Sequence, residues 1–357
     1  MSDLVDELLK RINKVTSGFK DKDVPAYRLS DTSSQFVGTK IPTGDSQIDG
    51  LLHGGFPCGK LIEIFGGESS GKTTTVLTMI AGAIKRNPDC VVIFIDAEHA
   101  LDLAYAKKIG VDPEKVIIQQ PDFGEQALDL IKIACEEFIH TKAKNPKAQL
   151  IICLDSVAAL VPASEFNADT IEQSGGMATQ ARMMSQSLRQ IIGPAYKSDA
   201  CVVFINQTRD NVGGYGPSAT SGGKALKFYA SIRIQLSKLG KWDDVDGGIK
   251  TKMTVVKSKV FAPFQSVEFF IGPHGIDSWI SIVETGVARG VIKKSGAGFE
   301  FEEKKVRGKY NFSLELRKDI GLARRIVEAI NKAPAIEIVK ESKAEEISEE
   351  EAKALIE

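Results

Sequence analysis

No apolar run in the sequence reaches the roughly 18 residues that a membrane-crossing helix needs, so neither a spanning segment nor a membrane partner is expected. Cys58, Cys90, Cys135, Cys153 and Cys201 make an odd set of five with no CxxC spacing. That excludes a disulfide framework and a paired-cysteine zinc finger, and the five read as reduced core thiols. No self-similarity recurs at a period of about 20–50 residues, which excludes a solenoid or propeller. The opening MSDLVDELLKRINKV lacks the uninterrupted apolar stretch of a secretory signal, so a soluble, cytoplasmic protein is expected. Net charge is also missing, at −1, with 46 basic against 47 acidic side chains. The total hides a division. Residues 336–357 hold eight Glu against three Lys, a balance of −5, which leaves residues 1–335 at +4. A mildly basic body does not exclude a polyanion partner, and an acidic tail can compete for the same surface.

What is present is ordinary globular material, 43% hydrophobic and 26% charged over 357 residues, enough for two domains and a large core. Leu4, Val5, Leu8, Leu9, Ile12 and Val15 share one face of an N-terminal helix. That face packs either on its own domain or on a neighbouring subunit. Residues 18–40 are polar and irregular and read as a linker, so 1–40 form an N-terminal helix-and-linker segment suited to subunit docking. From Ile41 onward, unbroken apolar runs at 61–65, 91–95, 116–119, 150–154 and 201–205 alternate with helical patterns. This is the pattern of an α/β domain with a mostly parallel, buried sheet. Closely spaced runs at 232–236, 251–256, 266–271 and 276–280 leave no room for crossover helices, so they are expected to extend the sheet antiparallel. The core thus spans 41–281. Residues 282–334 read as a small α+β lobe carrying Lys304, Lys305, Arg307 and Lys309, and 335–357 as an acidic, disordered tail.

The strongest chemical signal is Gly66, Gly67, Glu68, Ser69, Ser70, Gly71, Lys72, Thr73, a GxxxxGK[ST] phosphate loop between an apolar strand and a helix that Thr74 continues. Glycines let backbone N–H groups converge on phosphate, and the helix start adds positive potential. Lys72 is placed for the β- and γ-phosphates of a nucleotide and Thr73 for Mg²⁺. A second apolar strand ends in Asp155, which reads as a Mg²⁺ partner or as a helix cap. A third delivers Asp96 and Glu98 to the same sheet edge, where Glu98 is a candidate base for the attacking water, or else a loop carboxylate. A fourth ends in Asn206 and Gln207 and runs into residues 208–223, sixteen residues with five glycines, read as a functional or simply solvated loop. Gln207 stands where a sensor of the γ-phosphate could stand. A polar stretch at 164–176 precedes a helix bearing Arg182 and Arg189, which suits a polyanion passing the nucleotide face.

With GGESSGKTT, IDAEHALDLAYAKKIGVD, QPDFGEQALD, LDSVAALVP, ARMMSQSLR, FINQTR and GGKALKFYASIR in view, the sequence resembles the bacterial-type RecA recombinases from about Ile41 to Lys294. The resemblance implies a RecA-like P-loop ATPase core, its mostly parallel sheet extended by antiparallel strands, with an N-terminal helix and a small C-terminal α+β lobe. It implies a DNA-dependent ATPase that forms helical filaments of itself on single-stranded DNA and exchanges strands with homologous duplex DNA, using ATP and Mg²⁺. Single-strand-binding and loader proteins are further implied partners. By position, Glu98 is the catalytic carboxylate, Tyr105 stacks on adenine and Asp102 lies by the base. Gln207 couples γ-phosphate to the second DNA loop, and Lys257 and Lys259 of VVKSKV reach the neighbouring subunit's ATP. Phe228 sits in the subunit interface. Met177, Arg182, Ser185 and Arg189 in and after the first DNA loop, and Arg209, Val212, Gly213, Gly222 and Gly223 of the second, are the implied DNA contacts.

Gly67 replaces the family's usual Pro, Ala178 a usual Gly, and Asp210 and Asn211 stand in a shortened second loop, departures that suit a phage-encoded or otherwise distant member. The competing readings are a ring-forming motor or regulatory ATPase without strand exchange, and a non-catalytic filament protein. The first should lack VVKSK and ARMMSQ, and the second should lose Lys72 or Glu98; all are present.

Overall fold

The computed structural model describes residues 4–16, 26, 38–168, 176–209 and 219–333. Backbone contacts divide the chain into two units, Met1–Ser278 and Trp279–Glu357. Helix α1 (Leu4–Thr16) has Asp6 and Glu7 in its first turn and Lys14 in its last, matching its dipole. Its apolar face is largely exposed, with Leu4 79% exposed and Val15 66%. Next come β1 (Lys40–Ile41), α2 (Ser46–Leu51) and β2 (Phe56–Pro57), with β1 and β2 paired antiparallel. Asp45 caps α2 by accepting from the Gln47 and Ile48 amides.

The sheet that positions the site begins with β3 (Lys60–Gly66), followed by α3 (Lys72–Arg86), β4 (Cys90–Asp96), α4 (Leu103–Ile109), β5 (Val116–Gln119), α5 (Gly124–Lys144) and β6 (Gln149–Asp155). It continues with α6 (Ala163–Phe166), α7 (Gly176–Ser198), β7 (Cys201–Arg209), β8 (Ala219–Thr220), α8 (Ala225–Tyr229), β9 (Ile232–Lys241), β10 (Ile249–Ser258), β11 (Ser266–Gly272) and β12 (Gly275–Ile276). Strand order is β12-β11-β10-β9-β3-β7-β6-β4-β5, with β8 paired to β7. The runs in the inner strands β3, β6 and β7 are unbroken because both sheet faces are covered there, whereas edge strand β5 leaves Ile117 and Ile118 exposed. Ile62 and Ile64 join a core with Val76, Ile80 and Phe94, while Leu61 joins another with Leu128, Ile131 and Leu188.

Three expectations are corrected. β9 pairs parallel with β3, so the antiparallel pairings start only between β9 and β10 and continue through β11 and β12; the 22 residues between β7 and β9, which include α8, are long enough for a parallel crossover. Residues 276–280 are not one strand: β12 stops at Ile276, and α9 (Ser278–Ala288) starts two residues later, its buried Ile280 and Val283 following helical spacing. Residues 208–223 are not wholly irregular, because Thr208 and Arg209 complete β7 and pair with Thr220 and Ala219. The acidic tail, the linker apart from Ala26 and residues 38–40, residues 169–175 of the first polar stretch, and residues 210–218 lie outside the described residues.

The second unit packs β13 (Lys293–Ser295), β14 (Gly298–Phe301), β15 (Lys304–Arg307), α10 (Lys309–Lys318) and α11 (Ile320–Lys332) around Phe299, Phe312, Leu316, Ile326 and Ile330. Among the described residues no helix is long and apolar enough to cross a membrane.

Candidate nucleotide and nucleic-acid site

β3 ends at Gly66, and the chain turns through the phosphate loop into α3. The turn dictates its residues. A Cβ at Gly66 would meet the Leu236 carbonyl oxygen at 2.2 Å, and Gly71 has φ +89° as the residue before α3. Ser70 is buried and its hydroxyl donates to the Gly67 carbonyl at 2.8 Å, whereas Gly67, Glu68 and Ser69 are exposed. The Lys72 ammonium folds over the loop and donates to the carbonyls of Gly66 (3.2 Å) and Gly67 (2.8 Å). Burial lowers its pKa, against the opposing pull of Asp155, Glu98 and Glu68.

Registered strands bring the carboxylates to the same edge. Asp96 and Asp155 are partners across β4 and β6. The Thr73 hydroxyl donates to Asp155 Oδ2 at 2.6 Å. Burial pushes Asp155 up to about 6, opposed by that bond and by Lys72. A hydroxyl and a carboxylate, both hard oxygen donors beside a phosphate cradle, fit Mg²⁺, which takes few protein ligands and completes its shell with water and phosphate. Asp96 is spent on structure, accepting from the Ala100 and Leu101 amides and from Gln120 Nε2. The Ala97 and Glu98 amides both donate to the Asp155 carbonyl, which fixes where Glu98 departs from the strand.

Glu98 Oε1 accepts from the Ser156 hydroxyl and, at 2.9 Å, from Gln207 Nε2. Ser156 was not singled out from the sequence, and only the β4–β6 register reveals that it faces the carboxylate. The Tyr105 hydroxyl meets Thr74 Oγ1 at 3.2 Å, and Asp102 caps α4 by accepting from the Ala104 and Tyr105 amides. Ser69, Gly71, Thr74 and Tyr105 line one side of a cavity of about 550 Å³ whose other side is Ile249, Ile271 and Gly272. This second wall is supplied by the antiparallel strands, and no local pattern in the sequence marks it.

Arg182, Ser185 and Arg189 lie on one side of α7, with both arginines exposed, opposite the buried Met183, Met184 and Leu188. Gly222 (φ +80°) and Gly223 (φ +74°) pass close beneath: added Cβ atoms would meet Val157 Cγ1 at 2.8 Å and Ala181 Cβ at 2.7 Å. Thus the end of the second loop lies against the helix that carries the arginines. Met177 is in the first turn of α7 and Arg209 ends β7; Val212 and Gly213 lie outside the described residues. Phe228 is 68% exposed at the end of α8. Lys257 donates to the carbonyls of Lys227 and Phe228, and Lys259 to that of Phe228.

The description "RecA N-terminal domain" fits residues 5–276 as a family model. The chain is 40% identical over 332 residues to Protein RecA of Campylobacter hominis, covering 91% of each chain. It is 43% identical over 311 residues to Protein RecA of Campylobacter fetus (85% of this chain, 86% of the other), and 42% over 306 residues to that of Chlorobium limicola (84% of each). A solved structure described as the RadB recombinase is 21% identical and aligns with a TM-score of 0.48, covering 66% of this chain and 98% of that one. On the family model and these relatives, the chain belongs to the bacterial RecA family.

Proposed function

We propose that the chain is an ATP-dependent DNA recombinase: a DNA-stimulated ATPase that assembles on single-stranded DNA as a helical filament and pairs that strand with homologous duplex. One observation carries the reading. The carboxylate at the end of the phosphate face, Glu98, is bonded to Gln207, whose strand leads into the Gly-rich segment, and the far end of that segment, Gly222 and Gly223, lies against the arginine-bearing helix. Nucleotide chemistry and polyanion contact therefore share one strand end.

In this site the Gly66–Thr73 amides and the α3 N-terminus would hold the phosphates, and Lys72 would neutralise charge that develops on them. Thr73 and Asp155 would hold Mg²⁺, which when bound neutralises the β- and γ-oxygens. Glu98, oriented by Ser156 and Gln207, accepts a proton from water as the water oxygen bonds to the γ-phosphorus and the bond to the β,γ-bridging oxygen breaks, releasing ADP and phosphate. Tyr105, Ile271 and Gly272 would wall the base. Self-assembly is supported by two apolar surfaces, the open face of α1 and the exposed Phe228 beside Lys257 and Lys259.

The test is ATP hydrolysis with and without single-stranded DNA, with electron microscopy of the same mixtures. DNA-stimulated turnover together with helical filaments is the expected result. Closed rings without DNA stimulation would instead favour a motor or regulatory ATPase and overturn the assignment.

A further inference from the structure

Glu63 is a carboxylate on a strand at the centre of the sheet, wholly buried, and no role in nucleotide binding accounts for it. A charge in that position carries a large desolvation penalty unless it is fully paired. Glu63 is. Its Oε2 accepts from Arg233 Nε and its Oε1 accepts from Asn206 Nδ2 at 2.9 Å. The three residues come from three adjacent strands, β3, β9 and β7.

The junction has two arms. On the β7 side, Asn206 Nδ2 also donates to the Ser221 carbonyl at 3.0 Å, and Asn206 Oδ1 accepts from the Gln207 amide at 2.9 Å. Asn206 therefore ties Ser221, near the far end of the 208–223 segment, to Gln207, the residue that precedes the segment and bonds Glu98. On the β9 side, Arg233 lies over the Phe65 ring, 4.5 Å from its centroid. Its cross-strand partner is Lys257, placed there by a register shift between Val255 and Lys257. Such shifts re-aim side chains locally. Burial, Lys259 and Arg233 all lower the Lys257 pKa while Glu63 raises it, so the charges of the row Glu63, Arg233, Lys257 are felt along it. Lys257 in turn grips the end of α8 at Lys227 and Phe228.

Buried ion pairs add little net stability against apolar replacements, but some fix one arrangement over others. Here the arrangement joins the loop ends to the exposed Phe228 and Lys259. Thr220 and Ser221, both buried, carry hydroxyls that find no partner among the described residues, as expected where a segment makes further bonds in a second state.

We propose that Glu63, with Arg233 and Asn206, is a positioning junction that couples the ends of the 208–223 segment to the surface formed by Phe228, Lys257 and Lys259, so that polyanion contact at the first is registered at the second. This rests on the DNA-stimulated ATPase reading above. Glu63 is wholly buried with Arg233 and Asn206 as its partners, so its part is to transmit.

The test uses the full chain with Mg²⁺, ATP and poly(dT), comparing wild type with Glu63→Gln. A Gln at 63 keeps the shape but turns an amide donor toward one of the two donors now bound. Basal turnover should stay within about twofold while DNA-stimulated turnover falls by about tenfold or more, the range of an ordinary coupling energy. Hydrogen exchange should rise in peptides covering 221–223 and 257–259 together. Because the single change strands Arg233, Glu63→Gln/Arg233→Met supplies a charge-balanced variant in which stability is retained and the same loss of stimulation is expected. Wild-type stimulation in a folded variant, equal proportional loss of basal and stimulated rates, or an exchange change confined to β3 would each overturn the proposal. A wild-type chain that ignores DNA would overturn the recombinase reading instead, and the exchange comparison would then decide the junction alone.

Discussion

Gln207 donates its side-chain amide to the Glu98 carboxylate across 2.9 Å, although 109 residues separate the two in sequence. The bond closes a circuit: Glu98 leaves the end of β4, Gln207 lies near the end of β7, and β7 continues into the segment whose far end lies against α7. The Ser156 hydroxyl, on the other side, anchors the same oxygen to the end of β6.

The first prediction separates binding from chemistry. Glu98→Gln should leave ATP affinity and assembly intact while hydrolysis falls roughly 10²-fold or more, since only proton acceptance is lost. Gln207→Ala should leave basal hydrolysis less affected than its response to DNA. Equilibrium nucleotide binding beside single-turnover hydrolysis checks both, and a collapse of ATP affinity in Glu98→Gln would make that residue structural.

Lys72→Ala should abolish turnover, raising the barrier by several kcal/mol, because in the proposed site it removes the cation that would face the transferring phosphoryl group. Its ammonium now rests on the Gly66 and Gly67 carbonyls, weak neutral partners that phosphate oxygens can replace. Near-normal turnover in this variant would place the chemistry elsewhere.

Asp155 gives a pH prediction with a definite sign. Burial raises it from 3.8 to about 6 in the free protein. The folded state thus holds a proton more tightly than the unfolded one, and this contribution to stability is complete below about pH 4 and lost as pH rises through 6. The free chain at neutral pH therefore carries a penalty of about 2–3 kcal/mol, which Asp155→Asn should remove. The melting temperature of the nucleotide-free Asn variant should exceed wild type at pH 7.5, with the gap closing toward pH 4, while Mg²⁺-dependent hydrolysis is lost. A gap that widens on acidification would contradict the shift.

Much of this site was legible because its parts are local: a strand, a glycine-rich turn and a helix in sequence order announce the phosphate loop, and strand-end carboxylates declare themselves by following apolar runs. What was not legible depends on register. β9 was expected antiparallel because its connections look short, yet it takes β3 as a parallel neighbour, a choice settled by long-range packing. Ser156 looks like an ordinary residue after a strand until β4 and β6 align Asp96 with Asp155. Glu63 resembles a lone polar interruption of an apolar run until Arg233, 170 residues away, lies beside it. The 276–280 run alternates poorly enough to fit either period, and burial of Ile280 and Val283 selects helix.

Lys257→Ala and Lys259→Ala test action between subunits. Each should lose DNA-stimulated turnover, and mixing Lys257→Ala with Lys72→Ala should restore part of it at mixed joints, where one subunit supplies the phosphate loop and the other the lysine. No rescue in subunits shown to co-assemble would confine the lysines to their observed grip on the Phe228 carbonyl.

The tail supplies a prediction in which salt is the discriminating variable. Residues 336–357 carry −5 and follow a lobe whose strand β15 and helix α10 present Lys304, Lys305, Arg307 and Lys309. Three of these already face carboxylates of the lobe: Lys304 meets Glu315, Lys305 meets Glu300 at 3.6 Å and Lys309 meets Glu284. Ion pairs at the surface are weak and screened by salt, so at the exposed Lys304 and Lys305 phosphate can displace the carboxylates, and so can a covalently tethered acidic segment at high effective concentration. Truncation after Pro334 should therefore tighten binding of duplex DNA and lower the Mg²⁺ needed for strand exchange. The difference should shrink as the Debye length falls from about 30 Å at 0.01 M salt to about 8 Å at 0.15 M. Duplex affinity of full-length and truncated chains across that range is the measurement, and identical affinities at low salt would show that the tail does not compete.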